Sequence, residues 1–222
     1  VTSFSEGLEG VGALLRGDTD VWRTGKFGRI SRRILPLALA AGLLYGAAMG
    51  AYGLRGLQVL YSALKVPVLL GASTALCLPG LAAFLGAIGL GGHMGPILRG
   101  IVLSQATVMI SLAALAPVIA LVYVSTADYA VAKAFNGLMF ALASAAGQWT
   151  LARHFRPLLA VEPRCRIALV LWLVLYVFVG VQLAWVLRPF IGHPGLPVRF
   201  LREDAWGNAY VQVGSVLREI LD

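Results

Sequence analysis

Long apolar runs, each closed by a short polar interruption, organise this chain. The runs cover residues 34–53, 66–90, 100–125, 130–152 and 167–187; none contains Asp or Glu, and Lys133 is the one basic residue inside them. A bilayer core of about 30 Å is crossed by about 20 apolar residues of helix, and a helix satisfies its own backbone hydrogen bonds. The pattern therefore predicts an all-α fold: a polytopic integral membrane protein, a bundle of five transmembrane helices flanked by amphipathic helices. It divides the chain into a cytoplasmic N-terminal segment (1–33), a transmembrane domain (34–187) and an outer-face tail (188–222). The first run lies deep in the sequence and is too long for a signal-peptide core, so no cleaved targeting segment is expected.

Between and beyond the runs the periodicity changes. Near the start, Phe4, Leu8, Val11 and Leu15 recur at helical spacing behind a Ser3–Glu6 capping box, which predicts a helix lying on the membrane, although Gly7, Gly10 and Gly12 weaken it. In "LRGLQVLYSALK" the polar residues Arg55, Gln58, Ser62 and Lys65 share one narrow stripe, which predicts an interfacial or partly buried helix. After the fifth run, Pro189, Pro194 and Pro197 enforce irregular backbone. Trp206, Tyr210, Val213, Leu217 and Ile220 then return to helical spacing behind an Asp204 cap.

Composition agrees with the pattern: 59% of residues are hydrophobic and 13% charged, against about 25% charged in soluble domains. The net charge of +8 sits beside the runs, densest in "RTGKFGRISRR", so anionic lipid is the expected partner and nucleic acid is not. With the N-terminus inside, eleven Lys and Arg fall on the cytoplasmic side and seven outside. That asymmetry predicts a cytoplasmic N-terminus and an external C-terminus, with a bacterial inner membrane as the expected location. Tyr52, Tyr61, Tyr123, Tyr129 and Trp185 would form an outer aromatic belt, with Trp22, Trp149 and Trp172 toward the inner one. Cys77 falls in a run and Cys165 in an inner loop, which implies no structural disulfide.

Glycine costs about 1 kcal/mol against alanine inside a helix, yet Ala38, Gly42, Gly46 and Gly50 form an unbroken small-residue ridge. Lipid tails are as apolar as leucine, so membrane helices associate through close backbone packing, and the ridge marks such a contact. The expected neighbour is another span of the same chain, ahead of a second copy or a partner subunit. Gly137, Ala141 and Ala145 repeat the device in the fourth run.

Few polar groups enter the runs. Ser104, Thr107 and Ser111 share a stripe of the third, Asn136, Ser144 and Gln148 a face of the fourth, and Gln105 and Gln182 complete the set. Hydrogen bonds between packed helices account for them, although they could also line a solute path. Pro79 with Gly80, and Pro117, fall near the middle of their runs, where kinks are expected. The histidines are His93, His154 and His193; no HExxH, CxxC, Walker or Gly-x-Ser-x-Gly pattern accompanies them. No catalytic residue, metal ligand or cofactor is therefore assigned, with His93 and Met94 of "GGHMGP" the one weak candidate pair for a haem or pigment.

In layout the chain resembles the Yip-type five-span membrane proteins, with a cytosolic N-terminus, short loops and little polar content. Gly92 to Pro96 fits their GxxxP pattern, whereas their Asp-Leu-x-Gly-Pro-Leu motif is absent. The resemblance implies membrane organisation or adaptor work. The expected function is a non-catalytic scaffold or accessory subunit of a larger membrane complex, with partner subunits or self-association. The alternative is a homo-oligomeric channel or facilitator for a small solute along spans 2 to 4.

Overall fold

Five long helices carry the structure, a computed structural model that describes residues 9–13, 27–193 and 195–201. They are α1 (Phe27–Gly50), α2 (Gly56–Ala87), α3 (Met94–Ser125), α4 (Tyr129–Val161) and α5 (Cys165–Leu187), with a 3-10 turn at Gly91–His93 before α3. No strand occurs among the described residues. Residues 9–13 are helical; the Ser3–Glu6 box and the helix expected after Asp204 lie outside the described residues. Four helices, α2 to α5, are long and apolar enough to cross a membrane, and α1 carries a shorter apolar stretch, Ile34–Gly50.

The helix ends follow from local chemistry. Asp128 caps α4, its carboxylate accepting from the N–H groups of Ala130 at 2.7 Å and Val131 at 3.3 Å. Gly89, at φ +75°, closes α2 while Leu90 N–H returns to Leu85 O at 2.8 Å, an arrangement that satisfies a terminal carbonyl. Between α1 and α2 the chain turns through Gly53 (φ +77°) and Leu54 (φ 52°).

Several helix boundaries differ from the apolar runs: α1 and α3 begin ahead of theirs, at Phe27 and Met94, and α4 continues to Val161. α1 stops at Gly50 rather than Gly53, and α2 begins at Gly56, ten residues ahead of the second run, taking in the whole "LQVLYSALK" stretch. That stretch is therefore the first part of a long helix rather than a separate interfacial one, and of the two expectations for it the partly buried one holds, with Gln58, Ser62 and Lys65 turned inward. Pro79, Gly80 and Pro117 do not interrupt their helices, which remain helical through all three. At 32 to 33 residues, α2, α3 and α4 are each about 48 Å long, which exceeds a hydrocarbon core of about 30 Å.

α1 packs extensively on both α2 and α3, α3 on α4, and α2 on α5, whereas α4 and α5 scarcely meet. The helices thus form an arc in the order α4, α3, α1, α2, α5 that stays loose where it would close. Two cores fill it. At the end holding the α1–α2 and α3–α4 turns, Tyr45, Val66, Leu70, Leu112, Ile119 and Met139 pack with Ile191 of the tail. At the opposite end, Leu81, Leu85, Ile101, Leu151, Phe155 and Trp172 pack with the free cysteines Cys77 and Cys165. Trp172 is 1% exposed, so it is a core residue and not the inner-belt anchor that its position in the run suggested; Cys165 likewise opens α5 in that core instead of lying in a loop.

The α1 ridge lies against α2. A Cβ on Gly46 would meet Ser62 O and lie 2.7 Å from Ala63 Cα, and one on Gly50 would lie 2.7 Å from Ser62 Cβ; Gly42 faces Pro67 and Met109 at 3.3 and 3.4 Å. The neighbour at Gly46 is backbone, which cannot move aside as a flexible side chain could. Gly46→Leu is therefore expected to cost about 3 kcal/mol or more through overpacking. Leu43→Ala, at a half-buried position, is expected to cost about 1 kcal/mol. Thermal melting in detergent, followed by size-exclusion chromatography, checks this: equal midpoints for the two variants would contradict the contact.

Candidate functional site

The polar stripe of α2 is the most heavily engaged part of the molecule. Gln58, Ser62 and Lys65 are fully buried, and each serves the backbone of the segment after α5, whose Arg188–Pro189 peptide bond is cis. Lys65 Nζ donates to Pro189 O at 2.7 Å, Gln58 Nε2 donates to Phe190 O at 3.1 Å, and Ser62 Oγ donates to the same carbonyl. One helical turn outward, Arg55 donates to Leu196 O at 2.7 Å and to His193 O. An irregular segment offers carbonyls that no helix satisfies, and these donors supply the missing partners. Gly192 makes the approach possible, since a Cβ there would lie 2.8 Å from Gln58 Cγ. Phe200 covers the site, its ring centre 5.0 Å from Lys65 Nζ and 5.2 Å from the Tyr61 ring.

A second polar group lies deeper at the same end. Asn136 on α4 donates to Tyr123 of α3 and to Ala132 O, both at 2.8 Å, and accepts from Tyr45 of α1 at 3.3 Å. Tyr123 in turn donates to Met49 O at 2.9 Å. Tyr52 and Tyr129 extend the cluster, with ring centres 5.8 Å apart, and donate to Ala127 O and Ile191 O. One amide thus joins three helices, and Tyr52, Tyr123 and Tyr129 of the expected outer belt turn their hydroxyls to backbone carbonyls.

The remaining polar candidates separate by position. Gln105 accepts from Tyr176 at 2.8 Å, which bridges α3 to α5, and Thr107 bonds its own helix at Leu103 O. Ser104 is buried where α3 meets α4, its carbonyl 3.0 Å from where a Cβ on Gly147 would stand. Ser111, Ser144, Gln148 and Gln182 are half-buried. Ala38 is buried with Ile34 against Leu103 and Ala106 of α3. Gly137, Ala141 and Ala145 are exposed, and nothing lies within 4 Å of a Cβ on Gly137. His93, in the 3-10 turn, and Met94, which packs on the opposite-end core, stand far along the chain from the polar groups above. Gly92 and Pro96 are exposed at that turn. No cluster of three His, Cys, Asp or Glu able to hold a metal occurs among the described residues.

The chain matches no protein-family model, no curated protein and no solved structure. Its function must be argued from its own geometry.

Three hollows accompany these groups. A cleft of about 620 Å³ between the α1–α2 and α3–α4 turns is lined by Ala48, Tyr52, Leu54, Tyr123 and Val124. Two hollows of about 290 Å³ each lie where α4 and α5 fail to close over α2, and they share Leu69, Phe140 and Ala184. One reaches Lys133, Asn136 and Phe190; the other reaches Ser73, Ser144, Gln148, Tyr176 and Gly180. Sequence reasoning passed over Ser73 and Tyr176. Their only signal was that they are polar residues in apolar runs, and the loose seam that joins them is a property of packing.

Replacing Lys65 with Met keeps the stem's volume but leaves Pro189 O only the longer bond from Gln58 Nε2 at 3.4 Å. A hydrogen bond to a charged group contributes about 1.5–3 kcal/mol, so Lys65→Met should free residues 188–201 well before the bundle melts. Limited trypsin digestion after Arg199 reads this directly, since the Arg188–Pro189 bond is not a trypsin site. Wild-type protection in Lys65→Met would remove the clasp from the account.

Proposed function

We propose that this chain is a non-catalytic, five-span protein of the bacterial inner membrane, acting as a scaffold or accessory subunit of a larger membrane complex, with its N-terminus in the cytoplasm and its C-terminus outside. The observation that carries the reading is the use made of polar side chains inside the bundle: Asn136, Gln105, Gln58, Ser62 and Lys65 tie helix to helix, or helix to tail, within the chain. Asn136 also lines a hollow of about 290 Å³, but its amide is engaged by Tyr45, Tyr123 and Ala132 O, whereas a solute path along spans 2 to 4 would need such groups turned to an opening. At Ser104 and Gly147, by contrast, the α3 and α4 backbones stand in close contact.

Orientation draws support from the described arginines, since Arg99, Arg153, Arg156, Arg164 and Arg166 gather at the end opposite the tail. Beyond Arg166 in its first turn, the exposed surface of α5, formed by Ile167, Val170, Val174, Val177 and Phe178, is apolar and suits lipid or an apolar partner helix. The layout shared with Yip-type proteins points the same way, toward organisation of a membrane rather than chemistry in it.

Two measurements test the proposal. A periplasm-dependent reporter fused after residue 222 is expected to be active, and a cytoplasm-dependent reporter at the same site silent; the reverse would overturn the five-span topology. Gentle solubilisation followed by mass spectrometry is expected to recover a stoichiometric partner, while proteoliposomes of the isolated chain show no solute flux above empty vesicles. Flux at a rate that scales with protein, without any partner, would replace the scaffold reading with the facilitator.

A further inference from the structure

The hollow between α2, α4 and α5 has the composition of a ligand site rather than of an imperfect seam. Its walls are apolar, from Leu69, Leu70, Leu173, Val177 and Val181, with Phe140 of α4 and Tyr176 of α5 contributing two aromatic rings. Hydrogen-bonding groups reach it from two helices: Ser73 on α2, and Ser144 and Gln148 on α4. Ser73 decides the matter. It is 1% exposed and its hydroxyl has no hydrogen-bond partner, although in a bilayer core no water replaces one. A few polar groups converging in an apolar concavity of some hundreds of Å³ describe a small-molecule pocket.

The hollow follows the seam that α4 and α5 leave open over α2, which suits a slender apolar chain. The hollow continues into its neighbour past Leu69, Phe140 and Ala184, along α4 from Gln148 to Lys133, about 22 Å at 1.5 Å per residue. The two hydroxyls and the amide N–H₂ can all donate, which calls for an acceptor-bearing head. We infer that this hollow binds a membrane-soluble molecule with a carbonyl-bearing head on an apolar chain, the head beside Phe140 and Tyr176 and the chain running toward Lys133. An isoprenoid-type quinone and a fatty acid share that chemistry.

Trp172 supplies the readout, because its ring stacks on Tyr176 with centres 5.5 Å apart. Titrating the detergent-solubilised full chain with a decyl-substituted benzoquinone should quench tryptophan fluorescence saturably, and the Trp172→Phe variant should lose the saturable part. Quenching of exposed Trp149 is collisional and rises without saturation. Gly180→Leu, whose Cβ has 3.8 Å of room to Ser73 Oγ, fills the hollow and should abolish binding. Ser73→Ala combined with Gln148→Leu leaves the fold's contacts nearly unchanged and should weaken binding about tenfold, the effect of one or two neutral hydrogen bonds. Displacement of the quinone by decanoic acid at similar concentration assigns the site to fatty acids, and failure to displace assigns it to quinones. Linear quenching in the wild type, equal affinity in the double variant, or displacement by decane as effective as by either ligand would each overturn the inference.

Discussion

The backbone contact between α1 and α2 sets the rest of the arrangement. With no side chain at Gly46, α1 comes close enough to α2 for a Cβ there to collide with Ala63, and on its other side α1 packs against α3. Dispersion across such a crossing is the attraction available where water no longer distinguishes protein from surroundings. Placing α1 between α2 and α3 leaves those two in limited contact with each other, and the arc must then close between α4 and α5. It closes only partly, and the hollows beside Ser73 and Lys133 are the result.

Polar groups are distributed according to the same constraint. A helix interior needs no donors for its backbone, but the segment after α5 exposes carbonyls at Pro189 and Phe190 that a low-dielectric surrounding would penalise. Three residues at helical spacing on α2, Gln58, Ser62 and Lys65, meet that need, and Arg55, just ahead of the helix, serves the carbonyls of His193 and Leu196. Tyr129 contributes from α4 by donating to Ile191 O. The tail is thus held by donors from two helices, and α2 is joined to both its sequence neighbour and the end of the bundle.

Much of the helical layout is legible in the sequence, because each apolar run coincides with one long helix and apolarity is a local property. The small-residue ridge was legible as a close contact for the same reason, although which helix it meets depends on the fold. The α2 stripe was visible as a pattern but not in its direction. Arg55, Gln58, Ser62 and Lys65 look like a water-facing stripe until the carbonyls of residues 189–196 are placed opposite them, and those lie more than a hundred positions away. Trp172 misled for a related reason: tryptophan is common at membrane surfaces, and only the packing of Phe155, Cys165 and Leu81 around it shows that this one is interior. The hollow had no sequence signature, since Ser73 and Tyr176 acquire meaning only from a gap between helices.

The clasp also bears on how the protein is made. Lys65 and Pro189 are separated by 124 positions, and at synthesis rates of about 5–20 residues per second their encounter is delayed by about 6–25 s. During that interval α1 to α4 can already be assembled, while the donors of α2 still face the interface where the tail will arrive. The bundle is therefore partly finished when its last polar contact, between α2 and the segment after α5, is made. Biogenesis of this chain has a defined closing step, set by the length of sequence between a lysine and the carbonyl it serves.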